Sequence, residues 1–117
     1  MRKEGRFSEA EKEVRIALDL DPGNPYILGT LGDILVDEGW LDEAEIEYKA
    51  ALEHSEIMDN SAKSEIYNNM GWIFIQKEMY ENAKDEFFKA RSIDPKNVKA
   101  IRNLRAIAKI KTSSEIS

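Results

Sequence analysis

Apolar residues recur three and four positions apart along most of this chain, and the positions between them are mainly charged or polar. In residues 7–20, Ala10, Val14, Ala17 and Leu18 form one stripe, the signature of a helix with a single buried face. The same spacing predicts a second helix over 25–38 on Leu28, Leu31, Gly32 and Leu35. A third runs from Asp42 to about Ile57 on Ala44, Tyr48, Ala51 and Leu52. A fourth spans about Ala62 to Glu78 with Tyr67, Met70, Gly71 and Phe74. The fifth spans about Glu81 to Ile93 with Ala83, Phe87 and Ala90. The sixth spans Val98 to about Ile110 with Ile101, Leu104, Ile107 and Ala108. No segment alternates with a period of two, so no strand is expected.

The boundaries carry their own signals. Ser8 ahead of Glu9 and Glu11 reads as an N-cap with acidic residues in the first turn. Asp21-Pro22-Gly23-Asn24-Pro25 stops the first helix and starts the second, with proline at the first helical position. Gly39 suits the left-handed residue that closes a helix. Trp40 then covers the end of the hairpin. Asp59, Asn60 and Ser61 read as a break with an N-cap, and Asp94-Pro95-Lys96-Asn97 repeats the earlier stop.

The stripes repeat. Leu28-x-x-Leu31-Gly32-x-x-Leu35 matches Tyr67-x-x-Met70-Gly71-x-x-Phe74, and Ala44-x-x-x-Tyr48-x-x-Ala51 matches Ala83-x-x-x-Phe87-x-x-Ala90. Ala10, Val14, Ala17 and Pro22 match the second half of the same unit. Glycine in one helix and alanine in the next let two antiparallel helices approach closely. The large residue four positions after the first alanine is expected to plug the gap between units. With Pro95 closing the run, this pattern resembles the tetratricopeptide repeat (TPR) family. The resemblance implies an all-α fold of antiparallel helix hairpins stacked as a short right-handed superhelix. It divides a single domain, 1–111, into the second half of a repeat (1–24), a repeat (25–58), an insertion (59–63), a repeat (64–97) and a capping helix (98–111). A flexible tail, 112–117, follows.

Three features depart from the family pattern. Gly32 and Gly71 lie 39 positions apart, against the usual 34, and the surplus falls around Asp59–Lys63. Met1–Gly5 matches the end of a first helix, so segment 7–20 lacks its partner on the N-terminal side. Arg105 stands where the other units carry Gly32 and Gly71, and a bulky cation there blocks a close-packed following helix.

Composition narrows the function. With no cysteine, disulfides and thiol nucleophiles are excluded, and a reducing, cytoplasmic setting is expected. The net charge of −6 argues against nucleic acid as a partner, and no apolar run is long enough for a membrane span. Met1 to Glu13 runs from basic to acidic with no apolar stretch, unlike a signal peptide. His54 is the sole histidine and reads as a surface residue. No catalytic site, metal site or cofactor is expected. Charge is unevenly placed: residues 1–63 carry 7 basic and 16 acidic side chains, net −9, whereas residues 98–117 carry 5 and 1, net +4.

What remains is binding. In the TPR family the first helix of each unit lines a concave groove. Carried over by position, that surface here holds Tyr26, Thr30 and Asp33, then Glu65, Asn68, Asn69, Trp72 and Gln76, then Lys99 and Arg102. Trp72 is the expected hot spot, and Asn68 and Asn69 can hydrogen-bond a peptide backbone. The clamp by which some TPR domains hold chaperone C-terminal carboxylates is matched at Asn69 and Lys99. Gly29, Asp33 and Asn103 replace its other residues, and Arg102 is one position off. Chaperone-tail binding is therefore not expected, although an acidic peptide end near Lys99 and Arg102 is compatible. The leading reading is a non-enzymatic module binding a peptide or helix of a partner protein. The alternatives are a structural or assembly segment of a longer repeat protein or of a homo-oligomer, using the open N-terminal helix edge and with self-association through that edge, and a regulatory domain attached to an enzyme.

Overall fold

The computed structural model describes residues 8–116, with side chains described for 8–110. The reading of Met1–Gly5 as the end of a helix, and the last residue of the tail, lie outside that range. Six α-helices follow in order: α1 (Glu9–Leu20), α2 (Pro25–Glu38), α3 (Leu41–Glu53), α4 (Asn60–Gln76), α5 (Tyr80–Ile93) and α6 (Val98–Ile116). A single 3₁₀ turn at Ser55–Ile57 lies between α3 and α4. The backbone divides into two compact units, Met1–Met58 and Asp59–Ser117. Among the described residues there is no strand, and no helix is long and apolar enough to cross a membrane.

In the first unit α2 and α3 form a hairpin around Leu28, Leu31, Leu35, Ala44, Tyr48 and Ala51, all buried. Asn24 caps α2, its Oδ1 accepting from the backbone N–H of Tyr26 at 2.9 Å and of Ile27 at 3.3 Å. Gly39 ends it at φ 86°, a conformation that favours glycine. The hairpin closes tightly because Gly32 has no side chain: a Cβ there would lie 2.5 Å from the Tyr48 ring. The expected third helix to Ile57 breaks at His54. The His54 N–H bonds Ala51 O three residues back, which tightens the turn, and the 3₁₀ segment that follows delivers Met58 into a buried site.

The second unit repeats the hairpin with α4 and α5 and adds α6. A Cβ on Gly71 would lie 2.5 Å from the Phe87 ring. Phe74, Ala83, Phe87 and Ile107 form the buried cluster, edged by Ile75, Tyr80 and Leu104. Both rings, expected to plug a gap between units, rest on the glycine of their own hairpin. Residues 59–63 take up the surplus length as the N-cap and first turn of α4: Asp59 Oδ1 accepts from Ala62 N–H at 2.8 Å. Glu78 stands at φ 60° in the α4–α5 turn, where the first hairpin has Gly39. The helix α6 continues to Ile116, beyond the end near Ile110 that the small polar tail suggests.

α1 packs on α2 with an unexpected charge. Glu11 is 0% exposed, and its Oε2 accepts from Arg15 Nε at 2.9 Å. Burial raises its carboxyl above the ordinary range, the hydrogen bond from Arg15 opposes this, and the Glu38 carboxyl raises it further. A carboxyl that binds its proton more tightly folded than unfolded makes stability fall as pH rises through the folded value. Above that value the unit carries the full penalty of a buried charge. Glu11→Gln is therefore expected to flatten the fall of the thermal midpoint as pH rises above the ordinary carboxylate range. A variant whose midpoint falls with pH as steeply as the parent's would contradict this origin.

Candidate functional site

The helices α4 and α6 of the second unit are tied by a row of side-chain contacts. Asn97 Nδ2 donates to Ser64 Oγ at 2.7 Å, Lys99 Nζ pairs with Glu65 Oε1 at 3.5 Å, and Asn103 Nδ2 donates to Asn68 Oδ1 at 2.9 Å. The partners lie 33, 34 and 35 positions apart. A nearly constant offset means that the two helices run side by side and parallel. The same register sets Trp72 abreast of Ala106. An alanine cannot cover an indole, and Trp72 is 41% exposed.

Four residues expected to bind are thus on one surface: Glu65, Asn69 and Trp72 on α4 and Lys99 on α6. Gln76 and Arg102, both exposed, extend it. Asn68 does not join them. It is 5% exposed, and its amide oxygen accepts from Asn103, so in this structure it fastens α4 to α6. Lys99 is also engaged, its charge partly neutralised by Glu65, which leaves Arg102 as the more prominent cation of the pair. The sequence shows which helix Asn68 occupies, but not that α6 brings an amide against it.

The remaining expected residues lie on α2 of the first unit. Tyr26 and Thr30 line an apolar pocket of about 250 Å³ together with Glu13, Val14, Ala17 and Ile27. Tyr26 OH reaches Ile57 O at 3.4 Å, and Thr30 Oγ1 donates to Tyr26 O at 2.9 Å. Asp33 accepts a short hydrogen bond from the otherwise buried Tyr48 hydroxyl. Its carboxylate thus serves the α2–α3 hairpin first. His54 is exposed, with its ring beside Gly23. Among the described residues, no three His, Cys, Asp or Glu converge as metal ligands would.

Sequence reasoning did not single out Ser64 or Asn97, both buried. Ser64 Oγ donates to Ala90 O at 2.7 Å and receives the Asn97 amide, and Asn97 Oδ1 accepts from Ala100 N–H at 3.2 Å. One signal was present: Asn97 follows Pro95 as Asn24 follows Pro22, which marks it as a cap.

The comparisons with known proteins agree with this geometry. The chain is similar to the Protein STIP1 homolog of Dictyostelium discoideum, 29% identical over 110 residues. That match covers 90% of this chain and 19% of the relative, so the chain spans about a fifth of that protein's length. Its fold is similar to the first TPR domain of human RPAP3, with a TM-score of 0.79 at 22% identity, covering 93% of this chain and 82% of that one. It is similar also to the first TPR of Spaghetti (RPAP3) bound to the HSP90 peptide SRMEEVD, with a TM-score of 0.77 at 20% identity, covering 89% and 79%. The tetratricopeptide repeat profile matches residues 25–55 and 64–97, more than half of the sequence, and the glycine–ring hairpins of both segments show how it is built. This chain belongs to the tetratricopeptide repeat family.

Proposed function

We propose that the chain is a non-catalytic protein-interaction module of the cytoplasm, and that the α4–α6 face of its second unit binds a peptide segment of a partner protein. The exposed Trp72 ring carries this reading. An indole left 41% exposed between two parallel helices offers apolar area at little entropic cost, and tryptophan is the residue type most enriched among binding hot spots. Arg102, with Lys99, supplies positive charge on the same face, which suits a peptide with an acidic end. A protein of similar fold is seen with the acid-ended peptide SRMEEVD, which supports the peptide class.

A panel of acid-ended heptapeptides, SRMEEVD among them, is to be titrated calorimetrically into the full chain. Trp72→Ala is expected to weaken the best binder by about thirtyfold, the size of a hot spot. Arg102→Glu is expected to weaken it by about tenfold and to remove most of its salt dependence. Equal affinities for the parent and both variants would place binding elsewhere, and no binding by any member of the panel would refute the acidic-peptide class.

A further inference from the structure

The second unit shows what the pocket of the first is shaped to receive. α1 and α2 correspond to α5 and α6 at a constant spacing of 73 positions: Asn24 matches Asn97, and Pro22 matches Pro95. Under that correspondence Val14, Ala17, Asn24 and Thr30 stand for Phe87, Ala90, Asn97 and Asn103. Those four are residues on which α4 rests, through Gly71 against Phe87, Ser64 with Ala90 and Asn97, and Asn68 with Asn103. The pocket lined by Val14, Ala17, Ile27 and Thr30 is therefore the seat of a first-type helix. Asn24 fits this account: its amide nitrogen turns to Asp21 Oδ2 at 2.8 Å on the surface, where Asn97 instead holds a serine of the seated helix.

α6 presents the matching face. It lies 34 positions beyond α4 in the repeat, so Val98 and Arg105 stand for Ser64 and Gly71. In α4 those residues meet α5. In α6 Val98 is 59% exposed and Arg105 is exposed. α6 uses a different face, with Ala100, Leu104 and Ile107, toward its own unit.

We propose that α6 of a second copy of this chain docks into the α1–α2 pocket, so that copies join head to tail. Size complementarity supports that occupant. In both hairpins a ring faces a glycine, and any side chain on that glycine would collide with the ring. α1 breaks the pattern with Val14, which leaves a space that a glycine could not fill and that the stem of Arg105 could. Charge points the same way. With Glu11 buried against Arg15, α1 exposes Glu9, Glu13 and Asp19 against Lys12; α6 exposes Arg102, Arg105 and Lys109, with Lys99 paired to Glu65 and no acid over 98–110. Arg105 seated over Val14 brings its guanidinium toward Glu13 at the pocket rim. The blocking effect of a cation at this position applies to a following helix that bears a ring, and α1 does not bear one. Such a contact joins two different surfaces, so it extends unless its rotation closes a ring.

Sedimentation velocity of the full chain from micromolar to millimolar concentration tests this. The parent mass is expected to rise with concentration and to fall back with added salt. Val14→Phe fills the seat, and Arg105→Glu reverses the charge; each is expected to weaken association at least about tenfold. The double variant Val14→Phe/Arg105→Gly restores a ring–glycine pair and is expected to regain association. Circular dichroism confirms that each variant is folded. A parent that stays monomeric throughout overturns the proposal, as does association that Val14→Phe leaves unchanged or that the double variant does not regain. A monomeric parent that binds a synthetic 60–76 peptide would assign the pocket to a helix from a different source. Peptide binding is read at Trp72, which lies outside both this pocket and the Val98–Arg105 stripe, so Trp72→Ala is expected to weaken the peptide and to leave association unchanged; Arg102 stands for Asn68 on that stripe, and Arg102→Glu is expected to weaken both.

Discussion

Phe87→Ala is expected to destabilise the second unit by about 3–5 kcal/mol, the usual cost of removing a fully buried ring. Phe87 is 1% exposed and lies at the centre of the cluster with Phe74, Ala83 and Ile107. Its neighbours are held by two other helices, so the void cannot collapse cheaply. The same ring sets the requirement at position 71. Gly71→Ala would gain about 1 kcal/mol of helix propensity, but the new Cβ would sit 2.5 Å from the ring. Overpacking of that kind costs about 1–3 kcal/mol, and the clash prevails. Phe87→Leu removes the ring edge, so Gly71→Ala should cost less in that background than alone, with a coupling of about 1 kcal/mol or more. Denaturant unfolding followed through Trp72, in a Trp40→Phe background, measures all four corners of the cycle. An unchanged midpoint for Phe87→Ala, or strictly additive single substitutions, would contradict this packing.

Asn97→Ala is expected to cost about 2–3 kcal/mol. The side chain does two things at once. Its oxygen caps α6, and losing a cap costs about 1 kcal/mol. Its amide donates to the buried Ser64 hydroxyl, which itself donates to Ala90 O, and leaving a buried polar atom short of its partner adds about 1–2 kcal/mol. Three helices are thereby held by one serine and one asparagine. Asn97→Asp separates the two roles, because a carboxylate keeps the capping oxygen and loses the donor. Asn24→Ala is the control: its amide is already at the surface, so only the cap is lost. Stability and hydrogen exchange at Ala100 and Ile101 distinguish these cases. Equal losses at Asn24 and Asn97 would show that the bond to Ser64 contributes nothing.

Much of the fold could be read from spacing, because close helix packing restricts which residues can occupy the contact. Gly32, Gly71 and the alanines at 44, 51, 83 and 90 mark the hairpins, and the proline–asparagine stops mark where they end. The bounds expected for the second helix, 25–38, are those observed. Features that depend on which side chain arrives from elsewhere could not be read. Met58 is buried only because the chain tightens at His54. The stripe expects Ala10 to be buried, yet Ala10 is exposed and Glu11 is buried beside the Glu38 carboxyl, a neighbour that the spacing does not predict. The candidate site divides in the same manner. Position in the repeat placed Trp72 and Arg102 on an exposed face. It placed Asn68 there too, although that residue is bonded to a partner 35 positions away.

That short separation has a consequence for how the chain folds. The bond from Tyr26 to Ile57 spans 31 positions, and those from α4 to α6 span 33 to 35. Contacts this local require little loop closure before they are rewarded, and helical proteins built from them fold in about microseconds to milliseconds. Ribosomes add about 5–20 residues per second, so residues 59–117 take several seconds to synthesise. Residues 1–58 hold every partner needed for the Tyr26, Asp33 and Gly32 contacts, and their hairpin closes during that interval. The α1–α2 pocket then exists before the α6 of the same chain has been made.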